Sequence, residues 1–264
     1  MTPLAPVMFI SHGSPTFALE PGTAGRLLRQ RSGLFDQLEA LLVISPHWMT
    51  RGSYLGAAEH PETIHDFGGF PSSLYQLNYP APGAPVLAAE IQTQLAQQGV
   101  EVRLDPRRGL DHGVWVPLMH LRPDADLPVL PLSLNVDHSP AQLLQLGQAL
   151  AALRQQGVAI IASGGLTHNL RDIRFNAAVA ADYAERFQGW VGEQVREREL
   201  IALQNPARHS PDFERAHPTP EHYLPLLIAL GATTQQDHLE TLDSAIEHRA
   251  ISMTSYLWQR SEDN

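Results

Sequence analysis

Five histidines stand out in this chain because each occupies a phrase in which a metal ion or a proton could be handled. They are His12 in SHGSP, His47 in SPHW, His112 in RRGLDHGVW, His168 in GGLTHNL and His222 in HPTPEHYLPLL. Imidazole nitrogen is the commonest protein ligand for zinc and suits Fe(II) equally. A site of three N or O ligands that leaves positions open is the catalytic form. A histidine titrating near neutrality can also serve as a general acid or base. His60, His120, His138, His209, His238 and His248 lack such settings and read as surface groups or satisfied hydrogen-bond partners. His65 and His217 lie in unusual loops that nothing in the sequence forces inward.

The elements around these histidines explain why they could meet. Short apolar runs bounded by turn residues predict buried strands at Pro6–Ile10, Leu41–Ser45, Leu127–Leu134 and Val158–Ser163. Weaker runs mark Ser53–Ala58, Val100–Leu104, His238–Leu242 and Ile251–Leu257. Helical stripes alternate with them: Leu87, Ile91 and Leu95; Leu143, Leu146, Leu150 and Leu153 behind an N-cap at Ser139 and a Pro140; and Val179, Tyr183, Phe187, Val191 and Val195. Strands alternating with helices predict a three-layer α/β/α fold with a mostly parallel, mixed central sheet, in one domain over 1–264. The proline-dense stretches 80–85 and 205–220 read as ordered loops.

Ligands of open parallel sheets bind beyond the carboxyl ends of the strands. His12 follows its strand by two residues, His47 by two and His168 by five, so three separate strands deliver a histidine to one edge. Thr219 and Pro220 read as the cap and first residue of a helix, placing His222 in its first turn. His112 falls in a glycine-flanked loop after the Val100–Leu104 run.

Composition narrows the chemistry further. The chain has 264 residues, 43% apolar and 17% charged, with a net charge of −10. It has no cysteine, which removes thiolate metal sites, Fe–S clusters and thiol nucleophiles. All 18 basic residues are arginine, so no lysine is available for a Schiff base or a P-loop. No basic run offers a surface to nucleic acid, and no apolar run is long enough to predict a membrane span. The opening MTPLAPVMFISHG lacks the pattern of a signal peptide, and a cytoplasmic location is expected. G-x-S-x-G, G-x-G-x-x-G, the P-loop pattern and H-E-x-x-H are all absent.

Taken in order, SHGSP, SPHW, TIHDFGGFP, YPAPG, GLDHGVW, SGGLTHNL and PTPEHYLPLL resemble the extradiol aromatic ring-opening dioxygenases of the 4,5-DOPA dioxygenase type. That family is akin to the catalytic subunit of protocatechuate 4,5-dioxygenase. The resemblance runs from about residue 9 to about residue 257. It implies a non-haem metal centre that opens a small aromatic diol with O2, and a muconic semialdehyde product. It implies His12, His47 and His222 as metal ligands, and His168 either as a fourth ligand or as the acid/base, with His112 lining the pocket as a second catalytic histidine. The protocatechuate branch has a glutamate as third ligand, for which Glu221 is the fallback here. Fe(II) is the implied catalytic metal, and an all-histidine set also suits Zn(II). His65, Phe67 and Trp48 are candidates to flank the substrate ring, and Arg51 or Arg171 to meet a substrate carboxylate. A zinc-dependent hydrolase at the same histidines and a non-catalytic binding protein on a Memo-type scaffold are the competing readings.

Overall fold

The computed structural model describes residues 4–175, 177 and 179–260. The first half runs β1 (Val7–Ser11), α1 (Gly22–Gln30), β2 (Ala40–Thr50), β3 (Ser53–Gly56), α2 (Pro85–Gln97), β4 (Val102–Asp105) and α3 (His112–Leu121). The second half begins with β5 (Val129–Asn135), α4 (Pro140–Leu150), β6 (Val158–Gly164) and α5 (Asp182–Glu197). Short helical turns α6 (Leu200–Gln204), α7 (Pro206–His209) and α8 (Phe213–Ala216) precede α9 (Pro225–Ala232). The chain closes with β7 (Asp237–Leu242), the two-residue pair β8 (Ile246–Glu247) and β9 (Ile251–Ser252), and β10 (Ser255–Arg260).

Eight strands form one sheet in the order β4-β3-β5-β2-β6-β1-β10-β7. The central four are mutually parallel, and β10 and β7 add antiparallel at one edge. The three-layer, mostly parallel architecture expected from the sequence is the one observed.

Side chains of a strand alternate between faces, so a strand covered on both sides must be apolar throughout. In β1, Val7 and Phe9 join the core beneath α2, α4, α5 and α9, while Met8 and Ile10 join the core beneath α1 and α3. Each such side chain taken fully out of water contributes roughly 1.5–3 kcal/mol. Helix α4 starts as its sequence predicts. The Ser139 hydroxyl accepts from the Gln142 amide and the Gln142 side chain accepts from the Ser139 amide, a reciprocal cap. Among the described residues no helix is long and apolar enough to cross a membrane.

Four local expectations are corrected. Val179 lies outside α5 and is exposed, because the helix begins only at Asp182, with Asp182 and Glu185 in its first turn. The Ile251–Leu257 run is split into β9 and β10. The proline-dense stretch after Asn205 is not loop alone but folds into α7 and α8, Pro206 occupying the first position of α7. Strand β2 continues to Thr50 instead of ending at Ser45.

Candidate metal centre

The parallel strands β1, β6 and β2 lie side by side, and their carboxyl ends supply the floor of the site. His12 is the first residue past β1, and its amide donates to the Gly164 carbonyl at the end of β6. Its ring is buried, and its Nδ1 lies 2.9 Å from the Ser163 hydroxyl. That hydroxyl donates to the Gly113 carbonyl, so it accepts from His12 Nδ1–H and leaves His12 Nε2 with a bare lone pair.

His47 does not follow a finished strand; it sits inside β2 at an irregularity. Ser45 pairs with Ser133 and Met49 with Leu134, so three residues of β2 are looped out against β5. Bulges re-aim side chains next to functional sites, and this one turns His47 inward. Its amide donates to the Ser45 hydroxyl, which in turn donates to buried Asp111. His47 Nε2 lies 3.1 Å from His12 Nε2.

His222 stands in a hydrogen-bonded turn that precedes α9, not in the first turn of a helix beginning at Pro220. The Leu224 amide donates to the Pro220 carbonyl, and the helix starts at Pro225. The turn is pressed onto the sheet: the Gly165 amide donates to the His222 carbonyl, and a Cβ on Gly164 would fall 2.3 Å from that oxygen. Only glycine permits so close an approach. His222 Nδ1 meets Glu221 Oε1 at 3.1 Å, while its buried Nε2 has no partner. Glu221, the fallback ligand, thus contacts the opposite edge of the imidazole.

One nitrogen from each of His12, His47 and His222 lies within 4.8 Å of the other two. Burial, then the neighbouring imidazoles, push His12 and His222 well below the usual histidine range. Burial likewise takes His47 down to about 3. All three are therefore neutral at neutral pH, the form that binds a metal. Other buried histidines also leave a nitrogen unpaired, as His217 and His120 do at Nδ1. Their remaining nitrogens donate to the carbonyls of Leu166 and Phe17, and neither belongs to a converging set. Convergence, not the orphaned atom alone, separates the two cases. The donor set fits one divalent ion. Two nitrogens about 2.0–2.1 Å from a shared metal have a separation close to the one between His12 and His47.

Two further histidines border the triad. The His168 ring stacks on His222, with centroids 3.4 Å apart and planes 8° from parallel. Burial lowers it to about 4 despite the opposing charge of Glu221. His112 is the first residue of α3 instead of a loop residue, and its ring centroid is 3.9 Å from that of His47. Asp66 holds it. One carboxylate oxygen lies 2.9 Å from the His112 amide and 3.0 Å from His112 Nδ1, and the other 3.8 Å from His47 Nδ1. Burial would raise the Asp66 carboxyl, but the hydrogen bonds from His112 hold it down at about 2.

The other candidate residues divide. His65 and Phe67 join Tyr75 and Trp115 in an aromatic wall, with Phe67 edge-on to His112 at 5.7 Å. His65 Nε2–H donates to the Leu77 carbonyl and so fixes the ring. Trp48 packs beneath the Arg108 guanidinium, 4.9 Å from its ring centroid. Trp48 and Arg51 line a depression of about 310 Å³ with Thr50, Tyr54 and Asp105, and none of the five histidines borders it. Sequence reasoning missed Ser163 and Asp66 as partners of the histidines. Ser163 looks like one more strand residue, and Asp66 is 46 positions from the ring it holds.

The chain matches the family model of the catalytic LigB subunit of aromatic ring-opening dioxygenase over residues 6–258. It is 38% identical over 255 residues to the 4,5-DOPA dioxygenase extradiol of Escherichia coli K12, covering 95% of this chain and 93% of that one. It is 37% identical over 252 residues to the protein of the same name from Beta vulgaris, covering 94% of each. Among solved structures, the crystal structure of an uncharacterized Escherichia coli K12 protein superposes with a TM-score of 0.82 at 33% identity. That match covers 96% of this chain and 99% of the other.

Proposed function

The chain belongs to the LigB family of aromatic ring-opening dioxygenases and is an extradiol dioxygenase, and we propose that it opens a catechol-type diol at a metal ion held by His12, His47 and His222. The observation that carries this reading is the meeting of three neutral imidazole nitrogens within 4.8 Å, one of them buried without a partner. Fe(II) is the catalytic metal proposed, with Zn(II) a competitor for the same nitrogens. When bound, a redox-active ion would bring a closed-shell diol and triplet oxygen into one reaction that neither undergoes readily alone.

The protein's part is positioning and proton handling. His12, His47 and His222 would hold the ion as neutral ligands and so would leave its positive charge uncompensated by the protein. Ser163 and Glu221 accept from the Nδ1–H groups of His12 and His222, which fixes those tautomers and aims both Nε2 atoms inward. His168 is neutral at neutral pH and stacked beside His222, so a ring nitrogen can accept a hydroxyl proton as the diol binds. His112, tied to Asp66 through Nδ1, offers Nε2 as the second proton-handling atom. His65 and Phe67 form the wall against which a flat ring can lie. Trp48 and Arg51 border a separate depression that none of the five histidines lines, so neither is assigned a contact with the diol.

Anaerobic loading with Fe(II), followed by oxygen and a panel of catechols including DOPA, tests the proposal. The expected result is oxygen uptake matched by a yellow ring-fission product. No uptake with any catechol, or oxygen-independent hydrolysis of an ester or amide supported by Zn(II), would contradict it.

A further inference from the structure

The loop that carries the aromatic wall is also tied to one histidine of the site. Residues 62–66 run beside residues 109–112. The Leu110 amide donates to the Glu62 carbonyl, and the Ile64 amide to the Leu110 carbonyl, each at 2.7 Å. Trp115 Nε1–H donates to the Ile64 carbonyl at 3.0 Å. The approach is close enough that a Cβ on Gly109 would fall 2.3 Å from the Glu62 carbonyl oxygen. The backbone at Asp66 is thereby delivered to the start of α3, where the first amides of a helix have no partner within the helix. Asp66 Oδ1 takes the amide of His112 and its Nδ1 together, at 2.9 and 3.0 Å.

We propose that Asp66 is a positioning residue that holds His112 as the Nδ1–H tautomer, and so assigns proton handling at the substrate to His112 Nε2. A carboxylate can only accept, so a ring nitrogen 3.0 Å from it must carry the proton. The bond from the His112 amide to the same oxygen fixes the angle from which the carboxylate meets the ring. Nε2, across the ring, is then the lone pair left for a substrate proton. The Asp66 side chain also ties the loop bearing Phe67 to α3, alongside the backbone bonds of Glu62, Ile64 and Leu110 and the Trp115 indole. His47 Nδ1 lies 3.8 Å from the second oxygen, beyond a hydrogen bond, so the tie to His112 is the stronger.

The catalytic half of this inference rests on the proposed ring opening; the tautomer half does not, and the experiment separates them. Ring 15N–1H correlation spectra of the metal-free full chain, with His112 assigned through His112→Gln, report which nitrogen bears the proton. The expected result is Nδ1–H in the wild type, retained in Asp66→Asn, whose amide oxygen can replace Oδ1, and lost in Asp66→Ala. Oxygen uptake by the Fe(II)-loaded enzyme should show kcat falling about 10- to 100-fold in Asp66→Ala, with KM and metal content changed far less. Asp66→Asn should recover part of that loss. A wild-type His112 protonated at Nε2, or Nδ1–H persisting in Asp66→Ala, overturns the proposal. So does a loss in kcat fully explained by lost metal. The wild-type spectrum alone can refute the assignment should Asp66→Ala not fold. Wild-type inactivity toward every catechol would overturn the ring-opening reading while leaving the tautomer result standing.

Discussion

Two buried polar clusters sit at opposite ends of the same parallel strands, and they are built differently. At the amino ends, Arg154 is 1% exposed and each of its three guanidinium nitrogens donates a hydrogen bond. Its Nε donates to the Ala5 carbonyl, and its two terminal nitrogens donate to both carboxylate oxygens of Asp237 and to the Ala232 carbonyl. At the carboxyl ends, three neutral histidines crowd together with nitrogen facing nitrogen, and one Nε2 has no partner. A satisfied buried ion pair closes a fold. Nitrogens converging in this way, with the His222 Nε2 left unpartnered, impose a cost on the fold that a bound cation would relieve. The first cluster belongs to stability, and the second is the one proposed to hold the metal.

The sharpest way to break this contrast is to remove a member of each cluster. His12→Ala or His47→Ala should abolish metal retention and oxygen uptake while leaving the metal-free chain at least as resistant to urea as the wild type. Asp237→Ala should do the reverse. Stranding the buried guanidinium is expected to cost about 3–5 kcal/mol in urea unfolding, with activity per folded molecule kept. Loss of stability in the histidine variants comparable to that of Asp237→Ala would erase the distinction.

Acid should separate the clusters by pH. The histidines are depressed in the fold, His47 to about 3 and His168 to about 4, from an ordinary 6.5. They therefore add no proton-linked penalty above about 6.5, and the fold loses stability as the pH falls toward their folded values, because the unfolded chain takes up the protons first. Hydrogen bonding from Arg154 and Thr234 outweighs burial and depresses Asp237 below its ordinary 3.8. Its contribution is complete above about 3.8 and lost only as the pH falls further. Urea midpoints of the metal-free chain should decline between pH 6.5 and 4, and His47→Ala should flatten that decline. Asp237→Asn should leave that slope intact.

Smaller effects refine the picture at the site. Gly164→Ala forces the His222 turn off β6 and is expected to destabilise the chain by about 1–3 kcal/mol with weakened metal affinity, measured by unfolding and by competition with a chelator. Ser163→Ala removes the acceptor for His12 Nδ1–H and the donor to the Gly113 carbonyl, and should weaken metal binding about 10-fold at a cost of about 1–3 kcal/mol in urea unfolding. A loss of metal in Gly164→Ala no greater than in Ser163→Ala would argue that the turn carrying His222 is not a ligand arm.

The sequence was most informative where short apolar runs are buried on both faces. The starts of the four strongest strands fall within two residues of their expected positions. It was least informative where a distant partner decides. Pro46 looks like the end of a strand because it lacks an N–H, yet Leu134 and Asn135 resume pairing beyond it, and the looped-out residues give His47 its direction. Both Pro220 and Pro225 could begin a helix. The hydrogen bond from Gly165 to the His222 carbonyl holds the first as a turn and leaves the helix to the second. The histidines themselves were legible because each follows a strand or a turn signal. Their partners were not, since Ser163 and Asp66 meet them only through the fold.

The most direct measurement is metal stoichiometry after anaerobic reconstitution with Fe(II), on the wild type and on His12→Ala, His47→Ala and His222→Ala in parallel. One ion per chain in the wild type and none retained through desalting in any of the three variants is the expected result. Full retention in any one of them, with the fold intact, would contradict the three-histidine centre.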